Sequence, residues 1–182
     1  LVGWSYSGPI ALLVAVQHPE LVRSLFLHEP STLAFVTDPA DLKVATEDRT
    51  AMVAPGTAAA KAGDVAGAAK IIFNSVNGQA DLFDTVPPLA RTMILDNART
   101  LPISLAAPPP PAITCEQLRQ IKVPTTVAMG ELTRSFYKIA AGAVGRCIPG
   151  AKHVVIPKGR HAAPVQAPSP FNDALLRFLT GN

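Results

Sequence analysis

Leu1-Val2-Gly3-Trp4-Ser5-Tyr6-Ser7-Gly8 is the stretch around which the rest of the chain is read. Gly3-x-Ser5-x is most of a nucleophile elbow, a sharp turn from a strand into a helix that lifts a serine hydroxyl clear of its neighbours. The nucleophile of such a turn sits in a strained backbone conformation, so its flanks must be small enough for strand and helix to approach. Gly3 satisfies this on one side. On the other the pattern wants glycine and meets Ser7, with Gly8 following. A Gly/Ser turn without chemistry has the same residues, and what comes next separates the two. Ile10, Leu12, Leu13, Ala15 and Val16 predict an apolar helix that ends near Gln17-His18-Pro19. Leu21 to Leu27 then reads as a short buried strand. Strand, serine turn, helix, strand is the order an elbow needs.

The stretch LVGWSYSGPIALLVAVQHPELVRSLFLHEP resembles the nucleophile-elbow region of the α/β-hydrolase superfamily. The resemblance resumes in IKVPTTVAMGE and VVIPKGRHAAPVQAPSPFNDALLRFL, which look like the last two core strands and the histidine loop. It implies an α/β fold: the C-terminal part of an α/β-hydrolase parallel sheet, flanked by helices, with an inserted helical lid. The implied organisation is hydrolase core over residues 1–30, a helical lid over 31–111 and core again over 112–182. The first strands of such a sheet, and the loop that donates a second oxyanion-hole N–H, would lie upstream of Leu1, making the sequence a C-terminal fragment.

Composition bounds the answer from outside. The chain has 182 residues, 48% hydrophobic and 16% charged, which suits one globular domain with a sizeable core. Its formal charge is +3, and the densest basic spot, Lys158-Gly159-Arg160, is too short for a nucleic-acid groove. No apolar run reaches the ~18 residues of a membrane span. Cys115 and Cys147 form no C-x-x-C pattern or Cys/His cluster, so no metal is expected. Reduced thiols in a cytoplasmic protein are the simplest reading.

Between the two core stretches, alanine becomes frequent and strand signals vanish. Helical runs are expected from Asp38-Pro39 through Ala45, from Thr57 to Phe73 with a break at Gly63-Asp64, and from Leu89 to Leu95. Phe73, Phe83, Met93 and Leu95 would line an apolar pocket or form this segment's own core, with Asn77 and Asn97 as polar contacts. Pro108 to Pro111 favours an extended, stiff return to the core. Thr114 and Gln117 fit a capping box, with a strand at Val123 to Met129, a helix at Phe136 to Val144 and a strand at Ala151 to Ile156. Phe171, Ala174, Leu175, Phe178 and Leu179 share one face of a last helix, with Asp173 and Arg177 paired on the other.

The resemblance assigns Ser5 as nucleophile, the Tyr6 N–H to an oxyanion hole, and His161, in the glycine-containing loop after the last strand, as general base. The catalytic acid of the superfamily commonly lies three residues past the glycine that ends the preceding strand. Here that glycine is Gly130 and the position holds Thr133, which carries no charge. Glu29, at the end of the second strand, and Glu131, beside the usual place, are the two alternatives; Glu29 is preferred, because some branches of the superfamily keep their acid there. His28 and His153 are read as structural, and His18 as a helix-end residue. The implied activity is cleavage of a small carboxylic ester or lactone through an acyl-enzyme, with no cofactor, no metal, no nucleic-acid or membrane partner, and the oligomeric state open. The alternative is a hydrolase-fold protein that binds a small molecule or a partner without catalysis, suggested by Thr133 and Ser7.

Overall fold

Among the described residues, four short strands run parallel in the order of the chain: β1 (Val2–Trp4), β2 (Leu25–His28), β3 (Thr125–Gly130) and β4 (Lys152–Ile156). This computed structural model describes residues 1–108 and 111–181. Side chains alternate across the sheet, as the strand period requires. Leu25, Leu27 and Val127 point into one cluster with Ala11, Leu12 and Ala15 of α1 (Ser7–Gln17) and Val144 of α8 (Ser135–Cys147). Phe26, Ala128 and Ile156 point to the opposite face, where Ala163 of α9 (Ala163–Gln166) and Phe171 of α10 (Pro168–Thr180) close a smaller cluster. β2 is buried along its whole length, as expected of an interior parallel strand flanked on both faces.

The chain divides into two compact units, Leu1–Ala45 with Pro110–Asn182, and Thr46–Pro109. The second contains most of α2 (Pro39–Lys61), then α3 (Val65–Asn77), α4 (Leu82–Thr85), α5 (Pro88–Asn97) and α6 (Leu101–Ala106). Asp64 caps α3 through the Gly67 N–H, and Gly78 ends it in the left-handed conformation that glycine tolerates. Within this unit Asn74 ties α3 to the start of α4 by accepting the Phe83 N–H and donating to the Ala80 carbonyl.

Several expectations are corrected. Leu21 lies in a 3₁₀ turn (Pro19–Leu21) and is 72% exposed, so the second strand starts only at Leu25; Pro19 sets the turn. The helical runs on either side of Pro55 form one helix, α2, with the proline inside it. Gly56 supports this locally, since a Cβ there would overlap Ile72 of α3. Met93 and Leu95 are exposed, whereas Phe83 is buried. On α10, Leu179 is half exposed, and the Arg177 guanidinium donates to the Asp173 carbonyl. The capping box at Thr114 and Gln117 is present and opens α7 (Cys115–Leu118). Pro109 and Pro110, the middle of the proline run, lie outside the described residues.

The expectation of reduced thiols is also overturned. Cys115, at the start of α7, and Cys147, at the end of α8, are joined in a disulfide with a Cα–Cα distance of 5.1 Å. The packing of α7 against α8 brings them together across 32 residues of sequence, which spacing alone does not reveal. No helix among the described residues is long and apolar enough to cross a membrane.

Candidate active site

The C-terminal edge of a parallel sheet is where chain reversals gather functional groups, and four segments converge here. Ser5 follows β1 directly. Its φ is 54°, in the left-handed region that a non-glycine residue enters at a cost of about 1–3 kcal/mol. Backbone bonds hold that turn: the Ser5 N–H donates to the His28 carbonyl at 3.0 Å, and the Ser5 carbonyl accepts from Gly8 at 2.9 Å and Ser31 at 3.1 Å. A Cβ on Gly3 would lie 2.9 Å from the Ala11 Cβ, and one on Gly8 2.7 Å from the Pro30 Cβ. Both positions therefore need glycine for the strand and helix to meet. Ser7, where the sequence pattern wanted glycine, has a local role. Its hydroxyl accepts from the Trp4 N–H and donates to the Trp4 carbonyl, both at 2.8 Å.

Three side chains from three segments form one hydrogen-bonded chain. His161 Nε2 lies 2.9 Å from Ser5 Oγ, and its Nδ1 lies 2.7 Å from Glu29 Oε2. Glu29 follows β2, also at positive φ (47°), and its second oxygen accepts the Gly130 N–H at 2.8 Å. Both carboxylate oxygens are thus satisfied in a residue that is fully buried. Glu131 is elsewhere. It is exposed, and its carboxylate accepts the Lys158 N–H at 2.8 Å. Tyr6 is the N-cap residue of α1, where backbone N–H groups lack intrahelical acceptors, and its side chain is exposed. Thr133 is buried, and among the described residues its hydroxyl has no hydrogen-bond partner.

No family model matches the chain, and no curated protein matches it in sequence. Solved structures do match in shape. Carboxylesterase CesB (YbfK) from Bacillus subtilis superposes with a TM-score of 0.69 at 20% identity, covering 100% of this chain and 60% of that one. Est816, described as an N-acyl homoserine lactone degrading enzyme, gives 0.66 at 22% identity, covering 97% of this chain and 66% of that one. The enol-lactonase from Burkholderia xenovorans LB400 gives 0.68 at 18%, covering 98% and 64%. The chain has the α/β-hydrolase fold. It spans about 60–66% of the length of these α/β-hydrolase structures.

Within this α/β-hydrolase core, the electrostatics follow from burial and pairing. Burial alone would push the Glu29 carboxyl up. The hydrogen bond and charge of His161 outweigh it, with help from His28 and the Gly130 N–H, and hold the carboxyl below the usual carboxylate range. His28 points to the other face of β2, against Phe171 at 5.3 Å and Trp4 at 6.4 Å between ring centroids. Burial holds its imidazole below the usual histidine value, against the opposing pull of Glu29. Neither of its ring nitrogens makes a hydrogen bond of normal geometry among the described residues, although the nearby Arg160 and His161 carbonyls favour its protonated form.

Three contributors were not singled out from sequence. The Gly130 N–H fixes Glu29, and a Cβ at Gly130 would overlap the Gly159 carbonyl. The Trp4 indole donates to the His161 carbonyl at 2.9 Å, tying the residue before the serine to the histidine loop. Tyr137, on α8, stacks on the His161 ring. Only Trp4 left a signal, as the one tryptophan in the sequence set inside the elbow.

Proposed function

We propose that this protein is a serine hydrolase that cleaves a small carboxylic ester or lactone through an acyl-enzyme. The continuous chain from Ser5 Oγ through the His161 imidazole to the Glu29 carboxylate carries the reading. Ser5 attacks the carbonyl carbon as His161 Nε2 takes its proton. Glu29 accepts the Nδ1–H, which fixes the tautomer and stabilises the imidazolium. The Tyr6 N–H faces the developing oxyanion, a donor of the kind worth about 3 kcal/mol. The imidazolium returns its proton to the leaving alcohol, and a water activated by His161 then releases the acid. The ester- and lactone-cleaving names of the similar structures support this substrate class.

Fluorophosphonate labelling read by intact mass tests the proposal. One adduct, absent in Ser5→Ala, together with ester hydrolysis lost in the same variant, is the expected result. A folded protein that takes no adduct and hydrolyses no ester would remove the serine mechanism.

A further inference from the structure

The His161 ring is held at its edges by the two hydrogen bonds described above and on one face by Tyr137. The ring centroids are 3.9 Å apart and the planes differ by 12°, a parallel stack. Tyr137 is 1% exposed, and Phe136 packs edge-on against it at 4.9 Å and 72°. The tyrosine ring is therefore a fixed wall. Trp4 lies farther off, at 5.9 Å and a 53° tilt, and reaches His161 through its backbone carbonyl.

Edge hydrogen bonds and a face contact do different things. The torsion that swings an imidazole about its Cβ–Cγ bond is soft. In the resting state the Ser5 and Glu29 bonds together fix it. Once Ser5 is acylated its Oγ carries no hydrogen, so Nε2 loses its anchored donor and only the Glu29 bond remains. A ring held at a single edge can tilt out of the plane in which Nε2 faces the ester carbon. The face contact with Tyr137 does not depend on the state of Ser5, so it persists through this stage.

We propose that Tyr137 is a positioning residue for deacylation, keeping the His161 imidazole aligned while the acyl group occupies Ser5. This rests on the serine-hydrolase reading above. In the step it supports, water adds to the acyl carbonyl and gives its proton to Nε2. The tetrahedral adduct then collapses, the carbon–Ser5 oxygen bond breaks, and Ser5 Oγ takes that proton back. Misalignment of the imidazole slows this step more than acylation, in which the serine hydroxyl itself helps to orient the ring.

The test is p-nitrophenyl acetate turnover by the full chain, with intact-mass sampling of acetylated protein during the reaction, in wild type, Tyr137→Phe and Tyr137→Leu. Tyr137→Phe keeps the ring and is expected to stay within about twofold of wild type, while Tyr137→Leu loses turnover by roughly 10- to 100-fold and accumulates acetyl-Ser5. Tyr137→Met serves where the leucine variant does not fold. Loss of turnover in Tyr137→Leu without acetyl accumulation would overturn the inference, as would an equal loss in Tyr137→Phe. Failure of the underlying reading shows differently: wild type itself would neither turn over the ester nor take an acetyl group at Ser5, which overturns both.

Discussion

Glu29 and Glu131 each follow the end of a strand, on neighbouring strands of one parallel sheet, and they have opposite fates. The Glu29 N–H donates to Ala128 and the Glu131 N–H to Ile156, so both backbones leave the sheet in similar fashion. Glu29 then enters the left-handed region, is fully buried and reaches both His161 and the Gly130 N–H. Glu131 has no such turn, stays exposed and accepts one backbone N–H. Position at the active edge of the sheet does not by itself recruit a carboxylate. A strained turn directs the side chain inward, and two donors offset the cost of burying its charge.

The most direct way to break this comparison is to neutralise each carboxylate in turn. Glu29→Gln should lower kcat by roughly 1,000- to 10,000-fold, the scale seen when a triad acid loses its charge, while Glu131→Gln changes it less than about twofold. Steady-state hydrolysis of an activated ester measures both, and similar losses in the two variants would dissolve the distinction. Gly130→Ala strikes the backbone that serves Glu29. Its Cβ would overlap Gly159 and lie 2.8 Å from the Arg160 nitrogen, so a loss of about 1–3 kcal/mol is expected in urea unfolding.

Acid sharpens the contrast. The folded Glu29 carboxyl lies below its unfolded value, so the unfolded chain binds the proton first as pH falls. Its contribution to stability is present above about pH 4.5 and is lost as pH falls through the lower folded value. Urea midpoints from pH 7 to 3 should therefore fall more gently in Glu29→Gln than in wild type, with Glu131→Gln tracking wild type. The smallest effect is expected at Lys158, which sits at a φ of 56° and donates its backbone N–H to the exposed Glu131. Lys158→Gly keeps the N–H that serves Glu131, and should stabilise by up to about 1 kcal/mol without changing turnover. A drop in activity there would mean that its strain also shapes the histidine loop.

What the sequence revealed was local. Gly3, Ser5 and Gly8 announce a turn because close approach of strand and helix restricts which residues fit. His161 was singled out through the family resemblance of the loop after the last strand, and the structure sets its ring between Ser5 and Glu29. Glu29 and Glu131 could be ranked but not separated, because the difference lies in one backbone dihedral and in a donor about a hundred residues away, Gly130. Tyr137 reads as any buried helical aromatic, since its stack on His161 depends on how α8 sits against the end of β3. The disulfide was missed for a similar reason: helix packing rather than spacing decides it. The helical runs ending near Ala45 and starting near Thr57 are read as separate, whereas α2 runs through both with Pro55 inside it.

The position of Trp4 gives the protein an optical probe of its own. As the chain's one tryptophan, it alone supplies indole emission. Its N–H is bonded to the backbone of His161, and its ring faces two imidazoles, those of His28 and His161. Movement of either imidazole changes the surroundings of the indole, so emission reports rearrangement at the histidine loop without substrate or label. Under the proposed mechanism, acylation at Ser5, one residue away, would be followed in the same signal in real time.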